Sequence, residues 1–198
     1  MAVAILAVSP GPDNIYTAII SLSHGKNKGM ATVLGLMSGC FIHTAFVAFG
    51  ISSLITQSDL IFFLIKCAGA IYLFYLAFIV YTSSPDLEVQ KEETQAKSWT
   101  AYYKKGFIMN LLNPKVSLFF MAFFPGFLFD TAISTTMQFL ILGSIFIVVS
   151  FFIFSVIVFF ADTIATVLKK RKQAGIFLKW TQIIVFISIG FFILFSEN

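Results

Sequence analysis

The sequence predicts an all-α integral membrane protein of six transmembrane helices, arranged as two inverted three-helix halves with proline-broken helices 1 and 4. Three observations lead to this fold class: the composition, the distribution of basic residues, and two proline motifs inside apolar segments. Apolar residues make up 59% of the 198 residues, charged residues 11%, and the mean hydropathy is +0.94. A soluble domain is about half apolar and about a quarter charged, so the composition excludes that class.

Six segments are apolar for long enough to cross a bilayer, which takes about 20 helical residues. These spans are residues 2–22, 30–55, 60–81, 106–129, 137–162 and 176–195, within one domain 1–198. Residues 82–105 contain Pro85 and several charges without apolar periodicity, so they form a solvated cytoplasmic linker. Since no Lys or Arg precedes the first apolar run, we expect helix 1 to be retained and not cleaved as a signal peptide.

Basic residues concentrate in alternate loops. All Lys and Arg residues except Lys66 and Lys115 lie in or beside the first, third and fifth loops. The positive-inside rule places these loops in the cytoplasm and both termini outside. Each half contains three helices, so the two halves are inverted relative to each other. The spans leave no room for a soluble catalytic domain, and we expect no enzymatic activity, no cofactor, no bound metal and no nucleic-acid partner.

Proline interrupts the first helix of each half. The motifs are Pro10-Gly11-Pro12-Asp13-Asn14 and Asn110-Leu111-Leu112-Asn113-Pro114-Lys115. A proline has no N–H and its ring clashes with the preceding turn, so a helix opens there and backbone carbonyls are freed. Interrupted helices at matching positions of inverted halves indicate the central site of a secondary transporter. The alternative is a pair of kinks with a purely structural role.

Two charges of opposite sign fall near the middle of the membrane. At a rise of ~1.5 Å per residue, Asp13 lies about 16 Å from the outer face and Lys115 about 14 Å from the inner face. An isolated charge at this depth costs at least ~2.5–3.5 kcal/mol, so we expect the two side chains to pair. Together they complement a zwitterion, with a carboxylate for an α-ammonium group and an ammonium for an α-carboxylate.

Further polar residues lie near these charges. Asn14, Asn110 and Asn113 either contact the substrate or cap the broken half-helices. His43, in the middle of helix 2, either relays protons or is a neutral imidazole hydrogen-bonded to a neighbouring helix. Lys66 lies about 9 Å from the outer face, where snorkelling to the interface is favoured over lining an outer gate.

Gly35 and Gly39 form a Gly-x-x-x-Gly spacing in helix 2. Lipid provides no hydrophobic drive for helix association, so small residues at this spacing indicate close backbone packing. We expect helix 1 to be the packing partner.

Three other functions fit parts of the sequence. A thiol–disulfide carrier would use Cys40 and Cys67, but neither lies in a C-x-x-C pattern. A cation or metal exporter would coordinate its ion with Asp13 and asparagine oxygens, against which the opposing Lys115 argues. A structural protein would use the kinked helices only for packing.

Several motifs resemble the LysE/RhtB family of amino-acid exporters. They are Ser9-Pro-Gly-Pro-Asp-Asn14, Gly35-Leu-Met-Ser-Gly39 with His43, Leu64-Ile-Lys-Cys-Ala-Gly-Ala-Ile-Tyr72, and Gly106-Phe107 through Pro114-Lys115. The resemblance covers about the first two-thirds of the chain. It implies a multi-pass exporter of amino acids or their derivatives, of the homoserine, threonine and lysine efflux type, in the bacterial inner membrane. It further implies proton antiport, with the proton gradient and the lipid bilayer as partners, and leaves a homo-oligomer open.

Overall fold

The computed structural model describes residues 12–52, 59–83, 97–130, 132–161, 163 and 172–195. All regular structure in these ranges is helical, which confirms the all-α prediction. The α-helices are α1 (Pro12–His24), α2 (Lys26–Ala45), α3 (Asp59–Thr82), α4 (Trp99–Leu111), α5 (Pro114–Phe123), α6 (Thr135–Phe159) and α7 (Lys172–Phe195). A π-helix, Phe46–Ile51, extends α2, and a 3-10 turn, Pro125–Phe127, follows α5.

Three helical stretches in the described ranges are long and apolar enough to cross a bilayer: Lys26–Gly50, Phe63–Thr82 and Thr135–Phe159. A shorter apolar stretch, Lys179–Phe195, lies in α7. By contrast, α4 has 13 residues and α5 has 10, fewer than the ~20 needed for a span. These two short helices follow each other directly at the second proline motif.

Local sequence signals explain where helices begin. Ser98 Oγ accepts the N–H of Ala101 at 3.3 Å, and Ser134 Oγ accepts the N–H of Met137 at 3.3 Å. Each serine therefore caps the helix that follows it, α4 or α6. Between α1 and α2 stands the single residue Gly25, with φ of 85°, a conformation that favours glycine. This tight connection folds α2 back against α1.

A glycine seam, formed by Gly35, Gly39 and Gly106, joins α2 to α4. A Cβ atom at Gly35 would overlap the carbonyl oxygen of Tyr103, and one at Gly106 would overlap the carbonyl oxygen of Thr32. The two backbones are therefore in direct contact at both positions, which only glycine permits. Such contact maximises van der Waals packing where lipid offers no hydrophobic drive.

The same contacts give the direction of the helices and correct one expectation. Thr32 meets Gly106, and farther along α2 a Cβ at Gly39 would lie 2.5 Å from Asn110 Oδ1. Residue numbers rise together, so α2 and α4 are parallel. The expectation that the Gly-x-x-x-Gly pair packs on helix 1 is wrong, because Gly106 provides the matching small residue on α4.

α6 runs antiparallel to α2. A Cβ at Gly29 would lie 3.2 Å from Val158 Cγ1, near the start of α2 and the end of α6. At the other end, Ser52 Oγ and Thr136 Oγ1 are 2.9 Å apart. The same Cβ at Gly29 would lie 3.1 Å from Ser21 Cβ, so α1, α2 and α6 meet at one level.

One end of these four helices carries lysines, and we call it the basic end. Lys26 Nζ lies 5.4 Å from the ring centroid of Phe159, joining the start of α2 to the end of α6. Lys105 Nζ lies 4.4 Å from the ring centroid of Tyr16, joining α4 to α1. The lysines at the basic end are Lys26, Lys28, Lys104 and Lys105.

α3 and α7 form a separate antiparallel pair. The ring centroids of Phe74 and Phe191 are 5.2 Å apart, and a Cβ at Gly190 would lie 2.6 Å from Phe74 Cε1. Lys179 Nζ donates to the carbonyl of Ser83 at 2.7 Å, joining the start of α7 to the end of α3. Aromatic packing therefore connects this pair.

Candidate functional site

The helix of the second proline motif ends and restarts within three residues. α4 ends at Leu111 and α5 begins at Pro114, whose missing N–H costs no hydrogen bond at the first position of a helix. Asn113 connects them: its N–H donates to the carbonyl of Asn110 at 3.0 Å, and its own carbonyl accepts the N–H of Ser117 at 3.2 Å. The break is thus held by its own backbone groups.

The first proline motif provides the start of α1. Pro12 is the first residue of the helix, and Asp13 lies in the first turn, where the helix dipole favours a carboxylate. Asp13 is only 6% exposed, and Asn14 beside it is half-buried. Pro10 and Gly11, predicted as part of this break, lie outside the described residues.

The two motifs meet at Asp13 and Asn113. Asn113 Nδ2 lies 3.2 Å from Asp13 Oδ1 and 3.2 Å from Asp13 Oδ2, so one amide group donates to both carboxylate oxygens. Both residues are buried, and they are 100 positions apart in the chain. A buried carboxylate needs such donors, and a hydrogen bond to a charged group is worth about 1.5–3 kcal/mol.

His43 and Cys40 of α2 contact the same region through Asn110. His43 Nε2 lies 3.2 Å from the carbonyl oxygen of Asn110, and it must carry the proton because a carbonyl only accepts. Cys40 Sγ donates to Asn110 Oδ1 at 3.7 Å. The ring of His43 also lies 5.8 Å from that of Phe120. This is the bond to a neighbouring helix that one of the two interpretations of His43 required.

These contacts form one polar network, His43–Asn110–Asn113–Asp13, that crosses from α2 through the α4–α5 break to α1. Gly39 makes room for it, because any side chain there would collide with Asn110. The network offers one carboxylate together with amide and imidazole groups. This set can bind a small cationic group and hold or pass a proton.

The predicted cation partner of Asp13 is not described. Lys115 lies in the first turn of α5, but its side chain is outside the described residues, so the Asp13–Lys115 pair stays a prediction. Lys66 in α3 is only 7% exposed. The expectation that Lys66 snorkels to the interface is wrong, because its side chain is almost fully enclosed by the protein.

Two contacts of the network were missed by sequence reasoning. Gly39 was assigned to packing alone, and Cys40 was considered only for redox chemistry, yet both touch Asn110. Their one-turn spacing from His43 along α2 was the available signal. Within the described ranges, Cys40 and Cys67 are free thiols, and no three His, Cys, Asp or Glu side chains gather as a metal site would require.

The comparisons with known proteins identify the family. The family model described as LysE type translocator matches residues 4–197. The chain belongs to the LysE family. The match covers α1 to α7 and both proline motifs, and it confirms the resemblance seen in the sequence.

Several relatives of this LysE-family chain are similar along most of their length. A homoserine/homoserine lactone efflux protein of Salmonella typhimurium is 32% identical over 169 residues, covering 85% of this chain and 81% of the relative. The membrane protein YrhP of Bacillus subtilis is 29% identical over 196 residues, covering 95% and 91%. A leucine efflux protein of Enterobacter sp. is 26% identical over 168 residues, covering 85% and 80%. No solved structure matches the chain.

Proposed function

We propose that this LysE-family protein is a secondary transporter that exports amino acids or their derivatives across the bacterial cytoplasmic membrane by proton antiport. The contact of Asn113 with Asp13 supports this most directly, because it joins the two proline motifs at a buried carboxylate. Two of the similar proteins are named as efflux proteins, one for homoserine and its lactone and one for leucine.

In the proposed arrangement, six spans form two inverted halves, the basic end faces the cytoplasm and both termini lie outside. The parallel course of α2 and α4 and the clustering of lysines at the basic end agree with this. Transport is then alternating access, in which one half moves against the other around the polar network.

Asp13 takes the central chemical role in this mechanism. Its carboxylate binds the substrate's α-ammonium group in one state and a proton in the other. In the described state the Asn113 amide holds the carboxylate by donating to both of its oxygens, and the remaining lone pairs of these oxygens accept from an arriving ammonium group. Lys115 holds the substrate's α-carboxylate.

The remaining predicted residues act around this exchange. Asn14 and Asn110 line the site, and Pro10, Gly11, Pro12 and Pro114 keep the two helices open. His43, held in place by its hydrogen bond to the Asn110 carbonyl, relays protons through its own ring.

Everted membrane vesicles test the function. A panel of amino acids is scored for uptake into vesicles containing the protein, with and without an acid-inside gradient, against vesicles that lack it. We expect uptake of some amino acids that depends on the gradient and stops with a protonophore. Uptake of metal ions in place of amino acids, or of neither, would reject the proposal.

A further inference from the structure

Buried polar groups continue from Asp13 toward the basic end along α1. Asp13, Thr17 and Ser21 are spaced by four residues, so they share one face of the helix. All three are buried, and Thr17 is 0% exposed. A polar stripe on the buried face of a helix is unusual, because such faces are normally apolar.

Several buried side-chain atoms have no hydrogen-bond partner in the described part of the chain. Thr17 Oγ1 and Ser150 Oγ are two of them, and both residues are almost fully enclosed, at 0% and 1% exposed. Others are Ser155 Oγ and His24 Nδ1. All of these residues belong to α1 or α6.

Helical hydroxyl groups elsewhere in this chain do find partners. Ser21 Oγ donates to the carbonyl of Thr17 at 2.7 Å, and Thr44 Oγ1 donates to the carbonyl of Cys40 at 2.9 Å. A carbonyl one turn back is thus the usual acceptor in these helices. Thr17 and Ser150 are exceptions to the behaviour of their own neighbours.

The helix register places the two exceptions at the level of Asp13 or one turn from it. Ser21 and Val158 lie at one level, because both approach Gly29. Two turns farther from the basic end, at ~1.5 Å per residue, the same levels of α1 and α6 are Asp13 and Ser150. Thr17 lies one turn from Asp13, on the side toward the basic end. We call Thr17, Ser150 and Ser155, on the contacting helices α1 and α6, the hydroxyl seam.

At the basic end, each helix of the hydroxyl seam is joined to a neighbouring helix in the described state, α6 to α2 and α1 to α4. The Lys26 ammonium covers the ring of Phe159 at 5.4 Å, and the rings of His24 and Tyr102 are 5.4 Å apart. A buried hydroxyl without a partner destabilises a protein, and the membrane offers no water in exchange. The described state therefore gives the hydroxyls of Thr17 and Ser150 no stabilising role.

We propose that the seam between α1 and α6 is the cytoplasmic half of the transport path, which opens so that Thr17 and Ser150 bind water and the polar groups of the substrate on its way to Asp13. This inference rests on the proposed function for the identity of the substrate. It assigns ligand contacts to residues outside the polar network.

Thiol labelling tests whether the seam opens. Thr17→Cys and Ser150→Cys are made separately with Cys40 and Cys67 replaced by Ala, and everted vesicles are treated with a small, charged thiol reagent. Thr32→Cys is the matched control, because Thr32 is equally buried but its hydroxyl donates to the carbonyl of Lys28 at 3.3 Å, on the glycine seam.

We expect both seam cysteines to react at least tenfold faster than the control cysteine at Thr32, and a transported amino acid to slow the reaction severalfold. Equal reaction at all three positions would overturn the proposal. An amino-acid analogue too large to be transported should give no protection.

Removal of the hydroxyls gives a second, independent test in the chain with its native cysteines. Thr17→Val and Ser150→Ala should leave the melting temperature unchanged or raised, because an unsatisfied group is removed, while export falls at least fivefold. Thr32→Val should lower the melting temperature, because a satisfied hydroxyl is lost, and leave export per folded molecule unchanged. Wild-type export by both seam variants would overturn the assignment.

The two proposals fail in different ways. If the wild-type protein moves no amino acid in vesicles but Thr17→Cys and Ser150→Cys still react rapidly, the path is correct and the substrate class is wrong. If wild-type vesicles accumulate amino acids but these cysteines stay unreactive, the exporter stands and the α1–α6 path is wrong.

Discussion

The glycine seam and the hydroxyl seam differ in how well they satisfy their polar groups. On the glycine seam, backbones touch and hydroxyls are paired: Tyr103 OH donates to Ser38 Oγ at 2.9 Å, and Thr32 donates within its own helix. On the hydroxyl seam, Thr17 and Ser150 are buried, and their hydroxyls have no hydrogen-bond partner among the residues that the structure describes. The first is a completed interface, and the second is an interface with unused binding groups.

This difference indicates which helices stay together. α2 and α4 form one unit that holds His43 and Asn110. Asp13 reaches this unit from α1, a helix of the hydroxyl seam. The Asn113–Asp13 contact is a buried polar link between them. Movement of α1 and α6 apart would therefore open the path without breaking the glycine seam.

The largest effect is expected from Asp13→Asn. Loss of the charge removes both the ammonium site and the proton carrier, so gradient-driven amino-acid uptake in everted vesicles should fall to the level of vesicles without the protein. The neutral amide inserts at lower cost than a carboxylate, so the amount of inserted protein should be unchanged. Full uptake by Asp13→Asn would remove Asp13 from the mechanism.

A smaller loss of uptake is expected from Asn113→Ala, which removes the amide group that donates to the Asp13 carboxylate. A hydrogen bond to a charged group is worth about 1.5–3 kcal/mol, so we expect the uptake rate to fall about tenfold or more. Asn27→Ala, at an exposed position of α2, is the control. If both variants transport at the same rate, the Asn113–Asp13 contact does not matter for transport.

Gly35→Ala should break the completed interface. Its Cβ would collide with the backbone carbonyl of Tyr103, so we expect a loss of about 1–3 kcal/mol in stability, measured as a lower melting temperature in detergent. Gly50→Ala is the matched control, because its Cβ would lie 3.9 Å from the ring of Phe46, an ordinary contact. Similar melting temperatures for the two variants would show that the α2–α4 packing is loose.

The smallest effect is expected from Lys179→Met, away from both seams. Lys179 donates to the Ser83 carbonyl and lies 5.8 Å from the ring of Tyr81. Isolated surface interactions contribute about 0–1 kcal/mol, so the melting temperature and uptake should barely change. A large loss of uptake would mean that the α3–α7 pair takes part in the motion.

Much of the site was readable from residue types. The prolines predicted the break that the structure places at Asn113. Because a carboxylate inside the membrane needs a polar partner, Asp13 was expected to meet the second proline motif, 100 residues away. Asn110 and His43 were candidates because polar side chains inside apolar segments need partners. Their contact with each other could not be predicted, since it depends on which faces of α2 and α4 meet.

The amino-acid sequence was sufficient to predict the membrane class, the helical content and the positions of the helix breaks. Composition determines the first two, and proline acts on the backbone within one helical turn. The three-dimensional arrangement alone decided that Gly35 packs on α4, that Lys66 is enclosed, and that the Thr17 hydroxyl has no hydrogen-bond partner within the described ranges. Helical periodicity tells which residues share a face. In a membrane protein, the faces toward lipid and toward other helices are both apolar, so periodicity cannot tell what each face meets.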